Sequence, residues 1–313
     1  MHNFWISFNV VFPIAVMMAL GFFLKKIKLV GEVTVKQVNN VVFRVLLPVM
    51  IVKNVYESDL SSVFDPKLVI FAVSCVAVSI ALLLLIVPLI EKNNAKRGVL
   101  IQGMFRSNFV IFGIPVTQAL CGESVSGAAS VLIAVIVPVF NFAAVIILEI
   151  FKGNKPNFLK IFKGIVTNPL IIGSLVGLAI NICGVSFPKV IESSMSSVAS
   201  ITTPLALIML GASINFSSVG NNLWHIVWGV GVKLVLLPAA CLSLAAFVFG
   251  FRGAELCILI SLFASPAAVS SFTMAQQMGG DGELAGHLVM FGTVTCIFTM
   301  FLWILTAMQF GFI

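Results

Sequence analysis

The chain has 313 residues, 60% of them hydrophobic and 9% charged, with a formal net charge of +7 and a mean hydropathy of +1.16. A soluble domain carries roughly 25% charged residues, so a large soluble domain is excluded and an all-α polytopic membrane protein is predicted. The positive charge lies in short loops beside apolar stretches, which is a mark of membrane topology and not of nucleic-acid binding.

A membrane-spanning helix needs about 20 mostly apolar residues. Ten stretches qualify, near 4–24, 34–54, 68–90, 98–120, 126–150, 161–182, 191–214, 223–249, 254–277 and 286–310. Lysines follow the first stretch and no A-x-A site appears, so it reads as a retained span and not a cleaved signal peptide. Span 2 holds Arg44 one helical turn before Pro48, which puts both on one face. Span 4 contains "FRSNFVIFGIP" (105–115), with Arg106, Ser107 and Asn108 ahead of Gly113 and Pro115. Span 6 carries "GSLVG" (173–177), a small-residue face suited to helix packing or dimerisation. Span 8 holds Lys233 about ten residues in, and span 9 holds Ser265, Pro266, Ser270, Ser271 and Thr273. "GGDGE" (279–283) reads as a tight turn between spans 9 and 10, because an intramembrane aspartyl protease needs a second in-span aspartate and there is none. The six cysteines are scattered singly and the three histidines lack plausible metal partners, so no disulfide framework, metal site or cofactor is expected.

The short connections join the spans into a single domain, residues 1–313. Prolines recur at a near-constant offset: Pro13 with Pro169, Pro48 with Pro204, Pro88 with Pro238, and Pro115 with Pro266. Two repeats follow, 1–155 and 156–313. Five spans per repeat is an odd number, so the repeats are inverted in the membrane, a secondary-transporter signature. The loops after spans 1, 3 and 5 carry eleven lysines and arginines. The opposite loops carry Lys53, Lys67, Lys189 and Arg252. That bias places both termini outside the cell.

A proline removes a backbone donor and clashes with the preceding turn. If spans 4 and 9 unwind at Gly113–Pro115 and Ser265–Pro266, each leaves a half-helix whose N–H groups begin near mid-membrane and favour an anion. Three cations lie within spans, Arg44, Arg106 and Lys233, whereas every Asp and Glu lies in a loop or at a span end. Buried positive charge is costly in a bilayer and marks a transport pathway. With no in-span carboxylate to pair with, it implies an anionic substrate.

The words "FRSNFVIFGIP", "NPLIIGSLVGLAI", "TPLALIMLGASI", "KLVLLP" and "SPAAVSSFTMAQQMGGD" resemble the auxin efflux carrier family, in order and over nearly the whole chain. That family includes plant auxin exporters and bacterial malate permease-like proteins. The resemblance implies ten spans, a crossover of spans 4 and 9 at the substrate site, and a transport bundle moving against a scaffold that often dimerises. It carries crossover roles to Asn108, Gly113, Pro115 and Pro266, and a basic-residue role to Lys233. The long cytoplasmic loop of the plant members is missing, which favours a small carboxylate over auxin. The expectation is a secondary carrier of small organic anions, multi-pass in a bacterial plasma membrane, with the lipid bilayer and a second copy as partners and no nucleic acid. Two other readings stay open: a sodium- or proton-coupled carrier of the related broken-helix type, and a non-transporting membrane receptor or scaffold.

Overall fold

A computed structural model describes residues 2–57, 65–110, 116–117, 126–153, 158–213 and 219–313. Helices dominate and no strand forms among these residues. In chain order they are α1 (His2–Lys26), α2 (Glu32–Tyr56), α3 (Pro66–Ile90), α4 (Asn94–Phe105), α5 (Ser126–Ile150) and α6 (Phe158–Val166). Then follow α7 (Pro169–Ile182), α8 (Lys189–Ser213), α9 (Val219–Val248), α10 (Gly253–Phe263), α11 (Ser270–Met278) and α12 (Gly282–Gln309). Among the described residues, six helices are long and apolar enough to cross a membrane: α2, α3, α5, α8, α9 and α12. Their outward faces are apolar, as at Leu85, Leu89, Phe247 and Val248, the pattern of a lipid-facing surface.

Three predicted spans are interrupted. Span 9 breaks between α10 and α11, around Pro266 as its chemistry dictates. Span 4 breaks earlier than expected. α4 stops at Phe105, and Arg106 at its end is already extended. Gly113 and Pro115, the expected breakers, lie outside the described residues. The cause within the described residues is pairing in trans. The Asn108 N–H donates to the Pro266 carbonyl at 2.8 Å, and Ser107 pairs with Ala267 in an antiparallel bridge. Span 6 was expected to be continuous. It is broken at Thr167–Asn168, where the Asn168 side chain caps α7 by accepting from the Leu170 N–H at 2.9 Å.

Two of the prolines that lie within unbroken helices follow a π turn. "VFRVLLP" in α2 and "VKLVLLP" in α9 each place a wider π turn just before the proline, at Val42–Leu46 and Val232–Leu236. Pro238 has no N–H to give the Leu234 carbonyl, and the Trp303 indole donates to that carbonyl at 2.9 Å instead.

Glycines set the closest helix contacts. Gly21 in α1 and Gly211 in α8 let the two backbones touch. A Cβ on either would lie 1.9 Å from a carbonyl oxygen of the other helix. In "GSLVG", Gly173 and Gly177 lie against the backbone of Pro48 and Val52. The small-residue face read as a dimerisation candidate is thus occupied within the chain.

The connections fall into two groups. In one, Asn94 reaches the Gly153 carbonyl, Lys96 reaches Asn222, and the Asp281 N–H donates to Ala95. In the other, Lys67 reaches the Phe249 carbonyl, and the Gly253 N–H donates to Phe312. The "GGDGE" stretch is a turn as read. Gly279 ends α11 at a left-handed φ of 83°, and Asp281 caps α12 by accepting from Leu284 N–H at 2.9 Å.

Candidate functional site

The interruptions in spans 4 and 9 adjoin a cavity of about 340 Å³. Its walls are the segment 106–110, non-helical at 106–108, residues 268–270 at the start of α11, and parts of α2, α5, α7 and α8. Arg106, Ser107, Asn108 and Ser270, all anticipated from the sequence, line it together. The N-terminus of α11 lies on it through Val269 and Ser270, while the Ser271 and Phe272 N–H groups already donate to the Ala268 and Val269 carbonyls.

Arg106 is the dominant charge. It is 5% exposed and donates to Asn141 Oδ1 at 2.7 Å, with Met274 Sδ beside its other terminal nitrogen. Asn141 in turn donates to Ser174 Oγ at 3.3 Å, and Ser174 donates to the Leu170 carbonyl. Both partners of the guanidinium are neutral. The cavity wall carries two cations, Arg106 and Lys53, and no Asp or Glu among the described residues. Among those residues the ion pairs are Lys53–Glu57, Lys152–Glu149 and His225–Glu91, none of them at the crossover.

Lys233 lies behind the crossover and not on the cavity wall. It is buried, and its Nζ donates to Ser107 Oγ at 3.0 Å. Ser107 Oγ donates onward to the Leu262 carbonyl at the end of α10. Ser265, expected in the site, turns its hydroxyl back to the Ser261 carbonyl of its own helix and does not line the cavity. Pro266 contributes its carbonyl to Asn108. Ser271 and Thr273 are buried within α11, away from the wall.

Arg44 is a correction. The same-face argument put it toward the site. It is exposed and absent from the wall, whereas Leu47, Met50, Ile51 and Asn54 of its helix are present. The π turn at 42–46 breaks the 3.6-residue phase on which that argument stood. Lys233 is the second residue of its π turn and Arg44 the third of its own. One position in such a turn is roughly a quarter of a revolution, enough to put one inside and the other outside.

Sequence reasoning missed Asn141, Lys53, and the hydroxyls of Ser196, Ser200, Thr202 and Thr203 on α8. Asn141 had a legible signal, a lone amide in the apolar run "VFNFAAV". Lys53 was assigned to a loop but sits inside α2. The α8 hydroxyls carry no signal by type, since serine and threonine are common in spans.

The family profile described as "Membrane transport protein" matches residues 6–162 and 156–304. A protein of Methanothermobacter thermautotrophicus named only as an uncharacterized transporter is 23% identical over 302 residues, covering 95% of this chain and 97% of its own. A second uncharacterized transporter, from Methanocaldococcus jannaschii, is 24% identical over 309 residues, covering 95% and 98%.

Proposed function

Because the chain belongs to the membrane transport protein family, that of the auxin efflux carriers, and so to transporters and not enzymes, we propose that it carries small organic carboxylate anions. The observation that carries this reading is Arg106: a buried guanidinium on a cavity wall with neutral partners and no opposing carboxylate among the described residues. An anion that enters completes it. The bond is charge-assisted and strengthened by the low dielectric. Asn108 and Ser270, both on the wall, add neutral donors beside it. Met50, Ile51, Val137, Phe140 and Leu170 make part of the wall apolar, which suits an anion with a carbon body better than sulfate or phosphate.

The carrier works by alternating access, with the crossover of spans 4 and 9 as the substrate platform. On this reading the chain has ten spans in two inverted repeats, and two helix contacts support it. α1 packs on α8 through Gly21 and Gly211, and α7 packs on α2 through Gly173 and Gly177. Exchanging span 1 for 6 and 2 for 7 turns one contact into the other. The two groups of connections fit the alternation that ten spans produce. The protein then lies multi-pass in the plasma membrane with both termini outside.

A thermal-shift panel tests the substrate class, since a ligand of the folded state raises apparent stability. Mono- and dicarboxylates should raise the melting temperature of the purified protein, and sulfate and phosphate should not. Arg106→Gln should abolish the response while still folding. Sulfate raising the temperature as much as any carboxylate, or Arg106→Gln responding like the parent, overturns the reading.

A further inference from the structure

The cavity accounts for one side of the crossover; Lys233 stands on the other. Two helices end there. α4 terminates at Phe105 and α10 at Phe263, so their C-terminal carbonyls converge on the unwound segments. Each helix C-terminus carries up to about half a negative charge. Two of them sum to about one unit, held in the interior. Lys233 reaches this place through a pocket formed by Gly103 in the last turn of α4, by Ala267 of the bridge, and by Gly229, Val230, Leu288 and Gly292. Its Nζ is joined to the α10 carbonyls through Ser107 Oγ. Among the described residues it has no ion pair. Gly103 and Gly229 there clear room for Leu288, and the pocket leaves no space for a water-sized guest beside the lysine.

In broken-helix carriers, half-helix C-termini and unwound carbonyls are the groups that coordinate a coupling cation. Here a cation is covalently present at that position. We propose that Lys233 is a tethered counter-charge occupying the place of a dissociable metal ion, so that this crossover binds no Na⁺ or K⁺ of its own. The proposal rests on the reading of the chain as a crossover carrier and separates the sodium-coupled alternative from it. The anion side and the cation side of the site are then charged independently, by Arg106 and Lys233, with Ser107 common to the cavity wall and the lysine.

The test uses purified protein, inorganic and alkylammonium cations, and no carboxylate, so failure of the substrate class leaves its result unaffected. The melting temperature of the parent should be the same in sodium, potassium and N-methyl-D-glucamine chloride at equal ionic strength. Lys233→Ala leaves the carbonyls uncompensated beside a vacated space. Ammonium, methylammonium or Na⁺ should then stabilise this variant saturably, by about 3 °C at ten times the dissociation constant. Lys233→Met fills the space without charge and should show no such response. Should Lys233→Ala not fold, Lys233→Ser, whose hydroxyl can take up the bond to Ser107, serves in its place. Saturable stabilisation of the parent by Na⁺ overturns the proposal. So does a truncated variant that responds to these cations no more than Lys233→Met.

Discussion

At the scale of single residues, the site is ordered by what each polar group has for a partner. Asn141 touches Arg106 directly and lies on the cavity wall. Replacing it with leucine leaves the guanidinium one acceptor short and free to swing. A hydrogen bond to a charged group contributes about 1.5–3 kcal/mol, so Asn141→Leu should weaken carboxylate binding on the order of 10- to 100-fold, read as a shifted midpoint in the thermal assay. Arg44→Gln should leave binding within about twofold, because Arg44 faces outward on α2 and exposed substitutions away from such features rarely exceed ±0.5 kcal/mol. A large loss of affinity in Arg44→Gln would contradict the structural placement. The two arginines show what the sequence could and could not say. Both were legible as in-span cations. Arg106 reaches the cavity because α4 ends before it, whereas Arg44 is turned outward within a π turn that depends on how Pro48 is accommodated. Composition and spacing do not encode that choice.

Elements are held by close backbone contact and by replacement of what prolines remove. At Gly211 an added Cβ would fall 1.9 Å from the Met18 carbonyl oxygen, so α1 must retreat from α8 in Gly211→Ala. Overpacking of this kind costs about 1–3 kcal/mol. For a chain of this size that lowers the melting temperature by several degrees, about 2–4 °C per kcal/mol. Gly220→Ala, where nothing lies within 4 Å, should lower it by less than about 1 °C and is the matched control. The Trp303–Leu234 bond makes a second test. Trp303→Phe should destabilise by about 1–3 kcal/mol by stranding a buried carbonyl. Pro238→Ala restores an N–H within reach of that same carbonyl, so the loss from Trp303→Phe should shrink in the Pro238→Ala background. Additive effects in that double-mutant cycle would refute the pairing. The proline at 266 made the break in span 9 legible. The break in span 4 was legible only in outline, because Asn108 owes its extended backbone to a carbonyl 158 residues further along the chain. The break in span 6 was missed although "TNP" holds both a cap and a first-turn proline, a signal masked by the apolar residues on either side.

Across the whole molecule, the two groups of connections define two faces. Cysteines introduced at Gly153 and Gly280, in a background without the native cysteines, should react with a membrane-impermeant thiol reagent from the cytoplasmic side. Cysteines at Phe249 and Phe312 should react from the outside. Labelling of Gly153 and Phe312 positions from the same side would break the alternation on which the ten-span inverted arrangement stands. The sidedness tested by this labelling is an expectation from the lysine and arginine distribution alone. The cavity was not legible in the sequence, since its wall draws on segments from Leu47 to Ser270 that no local pattern relates.

The antiparallel bridge between Ser107 and Ala267, with the Asn108–Pro266 bond beside it, is made of main chain alone. Ordinary substitutions do not delete a peptide N–H or carbonyl; at position 108 a proline would. The clamp is therefore nearly silent to point mutation, whereas the hydroxyls of Ser196, Ser200 and Thr203 on the facing helix are each one codon away from a different chemistry. Substitution can therefore change the lining of the chamber without touching the fastening beneath it.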